Sequence, residues 1–225
     1  MSAVMRGVLT RDAYLDRWAT LHGGYDPRSS RVVGPWLGTV YALARPVARL
    51  GVRPDVVTLA GVVLSGLVVW LSALGGRWML LAAFVVGASG LLDSLDGAVA
   101  VLTERVSSWG AVLDSLVDRV SDVLYLVALW LVGAPAWTCV AAGAVVLTQE
   151  YARARATAVG MDDIGVVTVG ERPTRVIVVA MFLLAAGIYV ASAVTWASLG
   201  AYASLTIALV ALTQLLVVAH GRLSA

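Results

Sequence analysis

The sequence predicts an all-α polytopic membrane protein, with six transmembrane helices behind an N-terminal region that holds one or two juxtamembrane helices. Three observations carry this. Hydrophobic residues make up 60% of the 225 and the mean hydropathy is +0.89, above the apolar share of about half that is usual in soluble domains. The apolar residues gather into runs of about the 20 residues needed to cross a hydrocarbon core. Turn signals such as Gly75-Gly76-Arg77 and Gly133-Ala134-Pro135 separate these runs. The length is used up by spans and short loops, which leaves one membrane domain, expected over 54–225, and an N-terminal region over 1–53. There is no internal repeat and no low-complexity tract.

Residues 1–53 are the least apolar part, with Arg6, Arg11, Arg17, Arg28, Arg31, Arg45, Arg49 and Arg53 spread along them. Thr10–Leu21 and Pro35–Leu50 are expected as short amphipathic helices, the second with Trp36 and Tyr41 on its apolar side. Arg mixed with Trp and Tyr suits a membrane interface. No basic patch leads directly into a short apolar segment with a cleavage site, so no signal peptide is expected. Pro54 opens the first span, as proline does at a first helical position. Val56–Leu74 is uncharged. The second span runs from Trp78 to Val101 and the third from Trp109 to Val132, joined by a loop holding Glu104 and Arg105. The fourth starts at Ala136 and runs into the polar end Glu150-Tyr-Ala-Arg153-Ala-Arg155. After a loop of about twenty residues, Val176–Val194 and Trp196–Ala219 are the fifth and sixth, joined by a tight turn.

All 16 basic residues are Arg, and every one except Arg77 falls on one side of this layout. The positive-inside rule makes that side cytoplasmic, and an even number of spans places both termini there. The net charge of +2 is too small to argue for nucleic acid. The only cysteine, Cys139, lies in an apolar run, which excludes an internal disulfide.

The chemistry concentrates in Asp93-Ser-Leu-Asp96-Gly97-Ala-Val-Ala100 and Gly110-Ala-Val-Leu-Asp114-Ser-Leu-Val-Asp118. Spacings of three and four residues put each aspartate pair on one helical face. A carboxylate at mid-bilayer costs about 3 kcal/mol, so four of them call for a compensating cation. Carboxylate oxygens without thiols or a nearby His point to Mg²⁺ or Mn²⁺ rather than zinc. Two pairs suit two ions about 3.5–4 Å apart, an arrangement that clamps a phosphoryl group. Glycines beside the acids allow a phosphate close to the backbone, or close packing of helices. Asp118 lies nine residues past Trp109, roughly 14 Å along the helix axis, which sinks the site within the cytoplasmic leaflet.

The order Asp-x-x-Asp-Gly-x-x-Ala, a gap, then Gly-x-x-x-Asp-x-x-x-Asp resembles the signature of the CDP-alcohol phosphotransferases. It fixes seven positions over 26 residues. One position departs, since the family normally has Arg where this chain has Val101, and Arg105, one turn on, is the candidate replacement. The resemblance implies an enzyme of phospholipid synthesis that binds a CDP-linked lipid, usually CDP-diacylglycerol, on two metal ions. Asp93, Asp96 and Asp114 would be metal ligands, and Asp118 both a ligand and the base for the acceptor hydroxyl, with CMP leaving. The segment before the first span resembles the family's Pro-Asn-x-x-Thr but reads Pro54-Asp55-Val-Val-Thr58. The CDP-lipid set is then Asp55, Thr58, Gly97, Ala100, Arg105 and Gly110. The family resemblance also implies a homodimer.

Tyr151-Ala-Arg-Ala-Arg-Ala and Glu171-Arg-Pro-Thr-Arg175 are similar to stretches of actinobacterial phosphatidylinositol-phosphate synthases, a group taken here with phosphatidylglycerophosphate synthase-like enzymes. By that likeness Arg153, Arg155, Arg172 and Arg175 would bind the phosphate of the acceptor, inositol phosphate being favoured and glycerol 3-phosphate next. Two alternatives stand beside this reading: an inactive relative that binds CDP-lipid, and a cation transporter lined by the aspartates. The almost wholly apolar outer halves of the spans argue against the transporter. Membrane polyprenyl transferases resemble larger proteins with about nine helices.

Overall fold

The computed structural model describes residues 4–5, 8–161 and 167–224. Arg6 and residues 162–166 of the loop expected between the fourth and fifth spans lie outside the described residues. A two-residue antiparallel pair, β1 (Val4–Met5) and β2 (Val8–Leu9), opens the chain. It is too short to leave a period in the sequence. Eight α-helices follow among the described residues: α1 (Arg11–Leu21), α2 (Val33–Arg49), α3 (Pro54–Leu74), α4 (Trp78–Leu102), α5 (Ser108–Val132), α6 (Ala136–Ala158), α7 (Arg172–Ile188) and α8 (Ala193–Leu223).

Local chemistry sets most of these ends. Thr10 caps α1, its hydroxyl accepting from the Ala13 amide at 3.4 Å. Gly75 and Gly76 turn the chain after α3 with φ of 66° and 58°, a region that favours glycine. Pro135 precedes α6, and Pro173 sits in the first turn of α7, where its missing N–H costs nothing. That proline starts α7 at Arg172, four residues before the expected Val176. The helix also stops earlier, at Ile188, and a 3₁₀ turn over Val190–Ser192 leads into α8. Residues 190–194 carry no glycine, proline or charge, so the pattern alone could not mark that break.

Among the described residues, three helices are long and apolar enough to cross a membrane, spanning Pro54–Leu74, Trp78–Leu102 and, counting the 3₁₀ turn, Val190–Leu223. Helices α5 and α6 have 25 and 23 residues but carry charged side chains within them, and α7 has 17 residues.

The chain divides into two compact units, Met1–Gly61 with Ser89–Val117, and Val62–Ala88 with Asp118–Ala225. The division falls inside α3, α4 and α5. The first unit has a core of Tyr14, Leu15, Leu37, Val40, Ala44, Leu95, Val99 and Leu102, drawn from α1, α2 and the second half of α4. Ser89 Oγ donates to the Gly61 carbonyl at 3.2 Å within it. The second unit packs Val68, Leu71, Val86, Tyr125, Leu129, Ala142, Leu183 and Ala201 together. Close approach there depends on glycine. A Cβ on Gly187 would lie 2.7 Å from the backbone nitrogen of Leu80, and one on Gly200 would lie 2.7 Å from the Phe182 Cβ. Ser65 Oγ donates to Ser121 Oγ at 2.9 Å, satisfying two hydroxyls among apolar side chains.

Candidate active site

In the first unit, the second half of α4 carries Asp93, Asp96, Gly97 and Ala100, the start of α5 carries Gly110 and Asp114, and the start of α3 carries Asp55 and Thr58. All eight line one cavity of about 450 Å³, and Arg105 lines it too. Every residue expected to hold the CDP-lipid, and three of the four expected metal ligands, thus meet in one space.

Arg105 reaches the cavity through a specific turn. Helix α4 ends at Leu102, Glu104 takes a left-handed conformation with φ of 55°, and the Arg105 amide donates back to the Ala100 carbonyl at 2.8 Å. This is the way helix C-termini reverse, usually on glycine. Val101, where the family signature has Arg, is buried, 6% exposed. Ser107 then begins α5, its hydroxyl accepting from the Gly110 amide at 3.0 Å.

The two glycines differ. A Cβ on Gly97 would meet nothing within 4 Å, so packing does not require this glycine and the space beside it is open. On Gly110 a Cβ would come within 3.2 Å of Ser107 Oγ, so that glycine makes room for the helix cap. Thr58 is buried and donates to the Pro54 carbonyl at 3.1 Å, closing the first turn of α3.

Asp118 is the next turn of α5 after Asp114. Within the first unit, Asp93 and Asp114 present carboxylates to the same cavity. The residues fit a hard divalent cation. The donors are all carboxylate oxygens, and Asp96 Oδ2 beside them is buried with no hydrogen-bond partner among the described residues. A buried carboxylate oxygen without a donor is costly unless a cation meets it.

The second unit gathers an ion-pair network from three helices. Arg172 at the start of α7 pairs with Asp118. Arg119 lies 3.5 Å from Asp118 and 2.8 Å from Glu150 on α6. Arg175 lies 3.1 Å from Asp122 and 3.2 Å from Glu150, and Arg153 lies 2.8 Å from Glu171. Four guanidiniums therefore face four carboxylates. Arg153 and Arg175 share Glu150, and Arg172 pairs with Asp118. Arg155 does not join them: two residues beyond Arg153 on α6, it is exposed on another face. Burial pushes the Glu171 carboxyl up, but hydrogen bonds from the Thr168 amide and hydroxyl, both 2.9 Å, together with Arg153, hold it below its ordinary range.

Sequence reading missed two sets of residues. Of the set Arg119, Asp122, Glu150 and Glu171, Asp122 had a signal, since Asp114, Asp118 and Asp122 continue one stripe at four-residue spacing. The wall of the cavity formed by Tyr14, Trp18, Leu21 and His22 of α1 and by Val33, Trp36, Leu37 and Val40 had none. Their helical periodicity is that of any packed face.

An all-α fold with long apolar helices whose carboxylates stand on α4 and α5 defines the class: an integral, largely helical membrane protein with an acidic site. The particular family follows from the comparisons. The model of the CDP-alcohol phosphatidyltransferase family matches residues 51–218, and the chain belongs to that family. The archaetidylinositol phosphate synthase of Pyrococcus horikoshii is 28% identical over 158 residues, covering 68% of this chain and 83% of that one. The phosphatidylinositol phosphate synthase of Mycolicibacterium smegmatis is 36% identical over 159 residues, covering 65% and 68%. The crystal structure of Mycobacterium tuberculosis phosphatidylinositol phosphate synthase with CDP-DAG bound aligns with a TM-score of 0.66 at 27% identity, covering 80% of this chain and 93% of that one.

Proposed function

We propose that the chain transfers a phosphatidyl group from CDP-diacylglycerol to the hydroxyl of a phosphorylated polar alcohol and releases CMP. The observation that carries this is the single cavity lined by Asp55, Thr58, Asp93, Asp96, Gly97, Ala100, Arg105, Gly110 and Asp114. Relatives named as inositol phosphate synthases, one of them solved with CDP-DAG bound, support the donor and favour inositol phosphate over glycerol 3-phosphate as acceptor.

In this reading Asp93, Asp96, Asp114 and Asp118 hold two divalent cations, Mg²⁺ or Mn²⁺, which when bound offset the charge of the pyrophosphate. The open space at Gly97 admits the phosphates next to the α4 backbone, and Arg105 supplies the guanidinium that Val101 lacks. Asp118 accepts the proton of the acceptor hydroxyl. The hydroxyl oxygen attacks the lipid-side phosphorus, the bond to the CMP oxygen breaks, and CMP leaves. Arg153, Arg172 and Arg175 receive the acceptor's phosphate, whose negative charge substitutes for carboxylates that now occupy them.

The surrounding architecture is part of the same proposal. Helices α3 to α8 form six spans with both termini cytoplasmic, residues 54–225 form the membrane domain behind 1–53, and two chains pair as a homodimer. The experiment is lipid product identification by mass spectrometry, with CDP-diacylglycerol, Mg²⁺ and either inositol 1-phosphate or glycerol 3-phosphate. A phosphatidylinositol phosphate product from the first and little from the second supports the assignment. Product from glycerol 3-phosphate alone would replace the acceptor.

A further inference from the structure

Resting on the reading of the cavity as the CDP-lipid site, we propose that α1 is part of the nucleotide site. Its Trp18–His22 pair would form an aromatic wall against which the pyrimidine ring of the CDP-alcohol stacks. Residues 11–22 lie wholly outside the segment that matches the family, 51–218. They nevertheless close the same cavity as Asp55, Asp93, Asp96 and Asp114.

The wall is preorganised. Trp18 and His22, one turn apart, stack with ring centroids 3.8 Å apart and planes 12° from parallel. His22 Nδ1 donates to the Trp18 carbonyl at 2.8 Å, which fixes the imidazole and leaves Nε2 as the acceptor of its neutral form. Tyr14, on the same face of α1, is fully buried and packs on Tyr41 with centroids 5.6 Å apart. Arg28 holds the outer face, 2.9 Å from Asp16 and donating to the Asp12 carbonyl at 3.2 Å.

The pyrimidine is the part of the donor that suits this wall. Helix α1 exposes Asp12 and Asp16 away from its cavity face, so that side belongs in water and not among acyl chains. The acyl chains must stay alongside apolar spans, and a polyol phosphate acceptor has no planar face. A planar, partly polar ring is what an indole–imidazole stack holds best, with little regard to its exact hydrogen-bonding edge.

The test is calorimetric titration of the full-length protein in detergent with Mg²⁺, using CDP, inorganic pyrophosphate and CDP-diacylglycerol as separate probes. Trp18→Ala is expected to weaken CDP and CDP-diacylglycerol by the same factor, on the order of tenfold, and to leave pyrophosphate unchanged. Trp18→Phe, which keeps a ring, should stay within about twofold of wild type for all three probes. Weakening of CDP-diacylglycerol without CDP would put the lipid against the wall and overturn the proposal. No change with any probe, or equal loss of pyrophosphate, would overturn it as well, leaving α1 without ligand contact or as mere support. Wild-type protein that binds neither CDP nor pyrophosphate would instead overturn the cavity's assignment, and the stacking with it.

Discussion

Asp96 and Gly97 stand next to each other on α4, one a buried carboxylate with an unpartnered oxygen and the other a glycine beside empty space. Neither is explained by packing. Filling the space tests this: Gly97→Ala should leave the melting temperature nearly unchanged, because the added Cβ meets no atom within 4 Å, yet weaken CDP binding measured by calorimetry. Glu104 gives an opposite case, a residue explained by geometry alone. Its left-handed conformation costs an L-residue about 1 kcal/mol, so Glu104→Gly should stabilise the turn by several tenths of a kcal/mol in thermal unfolding while leaving Arg105 in place. Glu171 carries a pH dependence. Its folded-state carboxyl titrates below the unfolded one, so the contribution of its ties to Thr168 and Arg153 is complete above the ordinary glutamate range and is lost as pH falls through the lowered value. Melting of wild type against Glu171→Gln should therefore differ at neutral pH, with the gap closing on acidification.

The aspartate spacing on α4 and α5 was legible because carboxylates are costly inside apolar helices, and so was the start of α3 at Pro54. The end of α7 at Ile188 was not, because uniform apolar residues carry no stop signal. The cavity face of α1 was also illegible, since Tyr14, Trp18, Leu21 and His22 repeat with the period of an ordinary buried stripe. The arginines show the limit of motif likeness. Arg153 and Arg155 stand two residues apart in one motif, but a helix turns about 200° between them. Arg172→Ala and Arg175→Ala should raise the KM for the acceptor by at least tenfold, whereas Arg155→Ala should stay within about twofold; equal effects would dissolve the proposed acceptor site. Packing of α7 is testable separately. Gly187→Ala places a Cβ against the Leu80 backbone and should cost about 1–3 kcal/mol by overpacking.

For the whole molecule, three helices among the described residues satisfy length and composition for crossing a membrane, while α5 and α6 carry charged side chains within them. The proposed topology has a direct check in a Cys139→Ala background: Arg77→Cys should react with an impermeant thiol reagent in intact cells, and Ser224→Cys only after permeabilisation. Membership of the CDP-alcohol phosphatidyltransferase family fixes the type of chemistry, and the carboxylates of α4 and α5 are the claim on which its mechanism here depends. The measurement that tests that claim most directly is CMP release from CDP-diacylglycerol, with inositol 1-phosphate present, as Mg²⁺ is titrated into wild type and Asp118→Asn. Release that requires Mg²⁺ and falls by at least ~100-fold in the variant is the predicted result. Release that persists without a divalent cation, or at the wild-type rate in Asp118→Asn, would contradict it.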